Sequence, residues 1–390
     1  MTDHSSQSSS LDIFGALPNE LERTVTDIGW PKFRARQVLE WVYARLVTDP
    51  ELMTNLARDH RARIATLLRF HTAAITRTQL SQDGTIKLLL TWPDGAQAET
   101  VMIPDGARRT ACVSSQVGCP VGCRFCASGL DGVKGNLSAA QIVEQIFQLN
   151  RFMAQRDPAT QPLNVTGMTS TGRAPSSRGR DPDSSPSRRI TNIVFMGMGE
   201  PLANYANVMR AVRIIHDPAC FNIGARKITL STVGVPPRIR ELADESLPLN
   251  LALSLHAPTE ALRRELIPWA NHFKLDDILD ACRYYFDRTG REITLEYILL
   301  AGVNDRPEHA RQLAKLCKSI RANVNLIRYN EVQGLPYRRP ESPDVMNFQN
   351  ILRQAKVNAH VRKSRGRDID AACGQLRRNS SDMVRIGEQS

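Results

Sequence analysis

Between residues 190 and 330, short apolar segments alternate with longer amphipathic ones, and this alternation restricts the possible folds more than any other feature. Repeated strand-then-helix units predict an α/β fold in which a parallel sheet carries its helices on the outside. About six such units favour a partial, open (β/α)6 barrel over a closed one with eight units, and ligands of such sheets gather at the carboxyl ends of the strands. The predicted strands are 191–198, 227–231, 249–255, 292–299 and 324–329, and the helices between them include 205–216, 275–286 and 308–320.

The rest of the chain divides by its local patterns. Residues 1–70 are predicted to form a small helical module, with a long helix over Phe33–Leu46 in which Val38, Leu39, Val42 and Leu46 repeat near the helical period. Residues 71–108 alternate with period two around turn signals at Asp83-Gly84 and Asp94-Gly95, which indicates a β meander. The core is then expected over 109–380, its first helix capped by Ser138 and Gln141, with a short tail at 381–390. Within the core, 166–189 is almost wholly polar and is predicted to be a disordered surface insertion.

Three cysteines lie within eight residues, in the run Gly118-Cys119-Pro120-Val121-Gly122-Cys123-Arg124-Phe125-Cys126. Three thiolates can bind three corners of a [4Fe–4S] cube and leave one iron open for a small molecule. A structural zinc site normally uses two Cys-x2-Cys pairs or a Cys/His quartet, and no histidine lies within this run. The spacing therefore favours an open-iron cluster that binds S-adenosylmethionine over a zinc knuckle.

Polar residues follow successive predicted strands. Glu200 lies in Gly197-Met198-Gly199-Glu200-Pro201, where the glycines permit close backbone approach and the carboxylate can accept hydrogen bonds from an ammonium group. Taken singly, Ser231 and His256 are more often loop residues that form structural hydrogen bonds than ligand-binding residues. Together, polar groups at consecutive strand ends would bind a ribose and an amino-acid tail. The set comprises Gly199, Glu200, Ser231, Ser254, Leu255, His256 and Asn330.

Composition restricts the partners and the compartment. The net charge of +11 and pI near 9.5 favour a polyanionic partner such as RNA, although general basicity would give the same value. Basic residues at 32–36 and 362–367 would flank one RNA path. No apolar run is long enough for a membrane span, and the polar start lacks the apolar core of a signal peptide. We therefore expect a cytoplasmic protein without a membrane partner.

Two cysteines outside the run have informative surroundings. Cys373 lies among small residues after a basic segment, which would lower its thiolate pKa and suit a nucleophile. Most free cysteines are buried hydrophobic residues, and that alternative stays open for Cys373. Cys112 precedes the cysteine run, and Glu99 lies on the preceding meander. The other cysteines are interpreted as core residues: Cys220, Cys282 and Cys317.

Together, these motifs resemble the radical-SAM adenine-C2 methyltransferase family, whose members modify adenine in 23S rRNA and, in bacteria, adenine 37 of tRNA. The resemblance extends from about Gly29 to Ser380. It rests on the segments SSQVGCPVGCRFCASG, FMGMGEPLAN, LALSLHAPTEALRRELIP, LEYILLAGVND and GRDIDAACGQL.

The resemblance implies a role for each matching residue. Cys119, Cys123 and Cys126 correspond to the ligands of one [4Fe–4S] cluster. Cys373 corresponds to the cysteine that becomes S-methylated, Cys112 to the second catalytic cysteine and Glu99 to the proton acceptor. The seven residues at the strand ends correspond to the S-adenosylmethionine contacts.

The implied reaction uses two molecules of S-adenosylmethionine, because adenine C2 has no lone pair with which to attack a methyl group. One methylates Cys373, and the other yields a radical that activates this methyl group for addition to C2. A Cys112–Cys373 disulfide then forms and must be reduced. The implied partners are 23S rRNA, tRNA and an electron donor such as flavodoxin or a reductase system, and we expect a monomer.

Three alternatives share part of this pattern. The related C8 methyltransferase of 23S rRNA, which confers antibiotic resistance, has the same cysteines. Departures from the family pattern at Gly135 and at Arg328 leave the choice between C2 and C8 open. A non-enzymatic iron–sulfur RNA-binding regulator would not need Cys112, Glu99 or Cys373. A radical-SAM enzyme acting on a small metabolite would not need the basic N-terminal module.

Overall fold

The computed structural model describes residues 10–70, 73–156 and 189–377. The predicted insertion 166–189 lies outside these residues except for Arg189, and so does the tail 381–390. The helices are α1 (Pro18–Asp27), α2 (Phe33–Leu39), α3 (Arg58–Leu67), α4 (Ala139–Gln155), α5 (Tyr205–His216), α6 (Pro236–Ala243), α7 (Glu260–Leu266), α8 (Leu275–Thr289), α9 (Pro307–Ile320) and α10 (Ser342–Gln354). The strands are β1 (Leu11–Asp12), β2 (Leu68–Arg69), β3 (Ala74–Leu80), β4 (Ile86–Thr91), β5 (Gln97–Asp105), β6 (Arg108–Cys112), β7 (Gln116–Gly118), β8 (Val133–Asn136), β9 (Asn192–Phe195), β10 (Ile228–Thr232), β11 (Asn250–Ser254), β12 (Ile293–Leu299), β13 (Ala322–Arg328) and β14 (Ala359–Arg362). No helix in these parts of the chain is both long and apolar enough to cross a bilayer.

The N-terminal module is helical and packs directly on the core. Phe14 stacks on Phe147 of α4 with ring centroids 4.8 Å apart, and Tyr43 meets Phe221 edge-on at 4.9 Å. The predicted long helix after Phe33 stops at Leu39 and continues as a π-helical turn over Glu40–Ala44. This turn directs Trp41, Val42 and Tyr43 inward together, which a regular helix would not do.

The β meander is part of the barrel sheet. Strands β3 to β6 pair antiparallel in sequence, and β6 then pairs in parallel with β9. Both predicted turns form, since Asp83 Oδ1 accepts the Thr85 N–H at 3.0 Å and Asp94 Oδ1 accepts the Ala96 N–H at 3.0 Å. The meander therefore extends the same hydrogen-bonded layer that carries the predicted site.

The α/β fold is confirmed as an open barrel. Strands β6 and β9 to β14 form a consecutive parallel array, with at least one helix in each connection from β9 onward. Within the described residues the sheet does not close, because β14 and β3 remain its two edges. The last parallel strand, β14, was not predicted because its sequence AHVR is short and runs into basic residues.

Helix α4 joins the N-terminal module to the sheet. Its predicted capping box forms: Ser138 Oγ accepts the Gln141 N–H at 3.2 Å, and Gln141 Oε1 accepts the Ser138 N–H at 2.9 Å. The Glu144 carboxylate accepts hydrogen bonds from the Ala73 N–H and from Trp92 Nε1, the latter at 2.7 Å. The helix thus fixes the meander against the outer face of the barrel.

Candidate active site

The three clustered cysteines lie on one loop that follows β7 at the carboxyl end of the barrel. The loop is anchored by hydrogen bonds from Arg124 N to Leu266 O at 3.0 Å and from Cys119 N to Gly132 O at 3.2 Å. All three thiols pack against an apolar cluster that includes Phe125 and Leu266. Burial raises the pKa of the Cys119 thiol to about 12, and burial, followed by the neighbouring Cys126 and Cys119, raises the pKa of Cys123 well above its ordinary value.

The three thiols of this loop are the donor set that a thiolate-bound cluster uses. Among the described residues, no three His, Cys, Asp or Glu side chains are grouped closely enough to hold one ion. A cube binds each cysteine at a different iron, so its ligands do not converge on a single point. Bound iron would also remove the thiol protons that burial otherwise retains.

The segment after β9 lies close against the backbone before the cysteine loop. A Cβ on Gly199 would lie 2.6 Å from Gln116 Cβ, and its φ of +101° also disfavours other residues. The segment is fixed by hydrogen bonds from Met198 N to Ser114 Oγ at 2.9 Å and from Glu200 N to Gln116 Oε1 at 2.8 Å. Glycine at position 199 therefore brings Glu200 next to the cysteine loop.

Glu200 is buried, and its carboxylate is oriented by backbone donors. Oε1 accepts the Leu202 N–H at 2.9 Å, and Oε2 accepts the Val233 N–H at 2.8 Å. Burial raises the pKa of Glu200 to about 7, although these hydrogen bonds oppose the rise. A cationic ligand such as an ammonium group would favour the ionised form.

Ser231 and Ser254 lie on adjacent strands, with their hydroxyl oxygens 3.2 Å apart. Leu255 and His256 continue from Ser254, where Leu255 donates its N–H to the Glu296 carbonyl at 3.1 Å. The two hydroxyl groups lie near the carboxyl ends of β10 and β11, where such a pair can bind vicinal hydroxyl groups of a ligand.

His256 has a backbone conformation that is uncommon outside glycine, with φ of +57°. Its Nδ1 accepts the Ile298 N–H at 3.1 Å, so the ring carries its proton on Nε2. Burial, followed by the charge of Arg263, lowers the pKa of His256 to about 3. The histidine is therefore a neutral donor, fixed edge-on to Phe125 at 5.1 Å.

The C-terminal loop that carries Cys373 crosses the site between the cysteine loop and the meander. Ala127 N donates to Gly374 O at 2.8 Å, and Ser128 Oγ donates to Leu376 O at 2.7 Å. On the other side, Lys87 Nζ donates to Asp370 O at 3.0 Å. Asn330, just after β13, donates to Cys373 O at 3.4 Å.

Cys112 and Glu99 lie under this loop on one face of the sheet. Cys112 is directly opposite Val101, and Glu99, two residues from Val101, points to the same side. Cys112 packs with Ile369 and Ala371 of the loop, and both Cys112 and Cys373 are free thiols. Burial and then the neighbouring Cys373 raise the pKa of Cys112 to about 12.

Glu99 forms a buried ion pair with Lys87, in which Nζ and Oε1 are 3.0 Å apart. Its other oxygen accepts the Arg377 N–H at 2.9 Å. Burial raises the pKa of Glu99, while Lys87 opposes that rise. Lys87 is not predicted as a site residue, because β4 has the pattern of an ordinary strand. The sequence signal that could have identified it is a cation inside the apolar run IKLLLT.

A cavity of about 520 Å³ occupies the barrel interior beneath Cys373. Its wall includes Glu296, Asn325, Asn330 and Arg362. Arg362, which the sequence groups with surface basic residues, faces this cavity and lies 3.7 Å from Met196 Sδ. The neighbouring Cys373, followed by Glu296 and Cys112, raises the pKa of Arg362, while burial opposes that rise.

Comparisons with known proteins agree with this geometry. Residues 11–69 match the ribosomal RNA large subunit methyltransferase N-terminal domain, and residues 186–314 match the radical SAM superfamily. The probable dual-specificity RNA methyltransferase RlmN of Symbiobacterium thermophilum is 44% identical over 92% of this chain and 89% of its own length. The dual-specificity RNA methyltransferase RlmN of Syntrophobacter fumaroxidans is 43% identical, with 92% of this chain and 95% of its own covered.

A solved structure gives the same result. The crystal structure of a radical SAM methyltransferase from Sphaerobacter thermophilus matches with a TM-score of 0.83 and 40% identity. The match covers 94% of this chain and 99% of that one. The identities, the coverage and both matched domains show that this chain belongs to the RlmN family of radical-SAM dual-specificity RNA methyltransferases.

Proposed function

We propose that this protein methylates C2 of adenine in 23S rRNA, at the peptidyl-transferase centre, and at position 37 of tRNA, with Cys373 as the methyl carrier. The observation that carries the proposal is the position of the Cys373 loop. It is hydrogen-bonded to Ala127 and Ser128 beside the cysteine loop, while Cys112 and Glu99 lie beneath it. The Cys373 thiol would thus meet a methyl donor bound beside the cysteine loop, and its interaction with the Cys112 thiol supports the pairing of the two.

Cys119, Cys123 and Cys126 would hold one [4Fe–4S] cluster by three thiolates. When bound, this cluster supplies the electron that cleaves S-adenosylmethionine. Glu200 would accept hydrogen bonds from the ammonium group, and the Ser231–Ser254 pair would bind the ribose. Gly199, Leu255, His256 and Asn330 complete the binding site, which serves two molecules of S-adenosylmethionine per turnover.

The chain's own side chains perform the polar steps. The Cys373 thiolate attacks the methyl carbon of one S-adenosylmethionine, and S-adenosylhomocysteine leaves. Arg362 lines the cavity beside Cys373, so its guanidinium lies next to the reacting sulfur. After the carbon has joined adenine, Glu99 takes the proton from C2. The Cys112 thiolate then attacks the Cys373 sulfur, and the bond between that sulfur and the transferred CH2 carbon breaks. The released carbon takes a proton to become the methyl group of the RNA, and a Cys112–Cys373 disulfide is left for an external reductant.

The RNA reaches this site only if its target base leaves the stack, because the thiols lie beneath the loops at the barrel mouth. The N-terminal module, through its exposed basic residues Lys32 and Arg36, is the proposed RNA contact. An electron donor such as flavodoxin is the proposed redox partner of a monomer. The relatives carry the name RlmN, which designates the C2 enzymes, and this favours C2 over the C8 alternative.

The test is a comparison of Cys373→Ala with Cys282→Ala, since Cys282 is a buried core thiol on α8. After anaerobic reconstitution with methyl-labelled S-adenosylmethionine, we expect the Cys282→Ala protein to carry label on Cys373 in peptide mass spectra and to methylate RNA. The Cys373→Ala protein should do neither. RNA methylation by folded Cys373→Ala protein would exclude Cys373 as the carrier.

A further inference from the structure

Two consecutive arginines on α7 have opposite environments. Arg264 lies at the surface and pairs with Glu260 at 2.7 Å. Arg263 is 1% exposed and is the largest of the fully buried side chains. A fully buried guanidinium costs several kcal/mol unless nearby groups compensate its charge, so the groups around Arg263 indicate what it does.

The direct contacts of Arg263 lead to Glu200. Its guanidinium donates a hydrogen bond to the carbonyl of Val233. The N–H of the same residue donates to Glu200 Oε2 at 2.8 Å. Arg263 therefore fixes the residue that orients the Glu200 carboxylate.

The compensation of the charge is incomplete. Within the described parts of the chain, Arg263 Nε is buried and has no hydrogen-bond partner. Burial lowers the pKa of Arg263, and the opposing negative groups are Cys123, Glu260, Cys282 and Glu200. Two of these four, Cys123 and Glu200, belong to the candidate active site.

Helix α7 also holds Arg263 at a fixed distance from the cysteine loop. The Leu266 carbonyl, one turn after Arg263, accepts the Arg124 N–H at 3.0 Å. Arg124 directly follows Cys123, and Leu266 packs in the apolar cluster that contacts all three cysteines. The guanidinium charge is therefore rigidly placed beside the cysteine loop, in surroundings of low dielectric constant.

We propose that Arg263 is a positioning residue that supplies the buried counter-charge for the cluster held by Cys119, Cys123 and Cys126, and so raises its reduction potential. Three thiolates give the bound cluster a net negative charge, and reduction adds one more electron. A fixed cation nearby stabilises the reduced form more than the oxidised form. This inference rests on the proposed function, because it needs the three-cysteine cluster.

The test is the midpoint potential of the reconstituted cluster, measured by redox titration with EPR detection and without RNA. We expect Arg263→Gln, which retains an N–H donor, and Arg263→Met to shift the potential to more negative values. Arg263→Lys, which retains the charge, should stay close to the wild type. Arg264→Met is the matched control and should leave the potential unchanged.

The outcomes separate the possibilities. A merely structural role would lower the melting temperature or the iron content of the Arg263 variants without moving the potential, and that result would overturn the inference. If Arg263→Met does not fold, the comparison of Arg263→Gln with Arg263→Lys decides. If the wild-type protein holds no [4Fe–4S] cluster, the proposed function fails. If the Arg263→Gln and Arg263→Met proteins hold an intact cluster whose potential equals that of the wild type, only the role of Arg263 is refuted.

Discussion

The protonation state of Glu99 is set by two opposing effects at single residues. Burial raises the pKa of its carboxyl group, and Lys87, at 3.0 Å, holds that rise back. A proton acceptor must be ionised before it can act. In the proposed mechanism, the Lys87–Glu99 pair therefore determines the pH at which the proton can be removed from C2.

Replacement of Lys87 by Met should raise the pKa of Glu99 further. The acid side of the pH–rate profile for methylation should then move to higher pH. The pKa of Glu99 is higher in the folded protein than in the unfolded chain, so the free energy of unfolding falls as the pH rises from the unfolded to the folded pKa. The variant raises the folded pKa and therefore extends the pH range over which this stability is lost. Loss of one partner of a buried pair should also cost about 3–5 kcal/mol. Lys318→Met, on the exposed side of α9, is the control.

The pH–rate profile of a folded Lys87→Met protein is decisive for this assignment. An unmoved acid side would mean that Glu99 is not the group that must be ionised. A shift of the same size in Lys318→Met would mean that any lost positive charge produces it.

The sequence predicts the residues of the site better than their roles. Motif spacing places Glu200, Ser254 and His256 at strand ends, where the structure has them. It does not separate Arg263 from Arg264, because the two are identical and adjacent. Only the phase of α7, in which Arg263 and Leu266 are buried together, makes one of them a core residue.

At the scale of elements, the capping box of α4 was predicted from two side chains and forms as expected. Replacement of Ser138 by Ala should destabilise the protein by about 1 kcal/mol, because the Gln141 N–H loses its acceptor. Urea unfolding followed by circular dichroism measures the change. Ser319→Ala, an exposed serine near the end of α9, should have little effect, and equal losses in both variants would exclude a specific role for the cap.

Helix α2 offers an exposed basic surface beside an aromatic ring. Lys32 and Arg36 are exposed, Phe33 is 52% exposed, and the Arg34 guanidinium lies 4.8 Å from the Phe33 ring centroid. If this helix contacts RNA phosphates, the double variant Lys32→Ala with Arg36→Ala should bind tRNA about tenfold more weakly. The slope of log affinity against log salt concentration should become shallower by the amount expected for about two lost phosphate contacts.

Arg63→Ala is the matched control for that experiment, since Arg63 is an exposed arginine on α3 of the same module. Filter binding at several salt concentrations gives both the affinity and the salt slope. An unchanged slope in the double variant would place the RNA contact elsewhere.

Elements with strong apolar patterns were predicted, and those defined by tertiary contacts were not. The strands β9 to β13 are apolar runs and lie where expected. The strand β14 is too short and too polar to show a pattern, and pairing with β13 determines its conformation. The helix after Phe33 ends early because packing of Trp41 and Tyr43 outweighs the regular helical period.

At the scale of the molecule, one sheet connects the parts that the sequence divides into a meander and a core. The meander carries Glu99 and Lys87, the barrel carries the strand ends of the proposed ligand site, and the C-terminal loop carries Cys373 between them. Every part of the proposed site therefore depends on long-range contacts. This is why motifs could suggest candidate site residues, while the contacts between those residues required the structure.

The most direct test of this proposal is mass spectrometry of nucleosides from 23S rRNA and tRNA after anaerobic reaction with the reconstituted wild-type protein and methyl-labelled S-adenosylmethionine. We expect labelled 2-methyladenosine in both RNAs. Labelled 8-methyladenosine alone, or no labelled adenosine from a protein that holds an intact [4Fe–4S] cluster, would contradict the account.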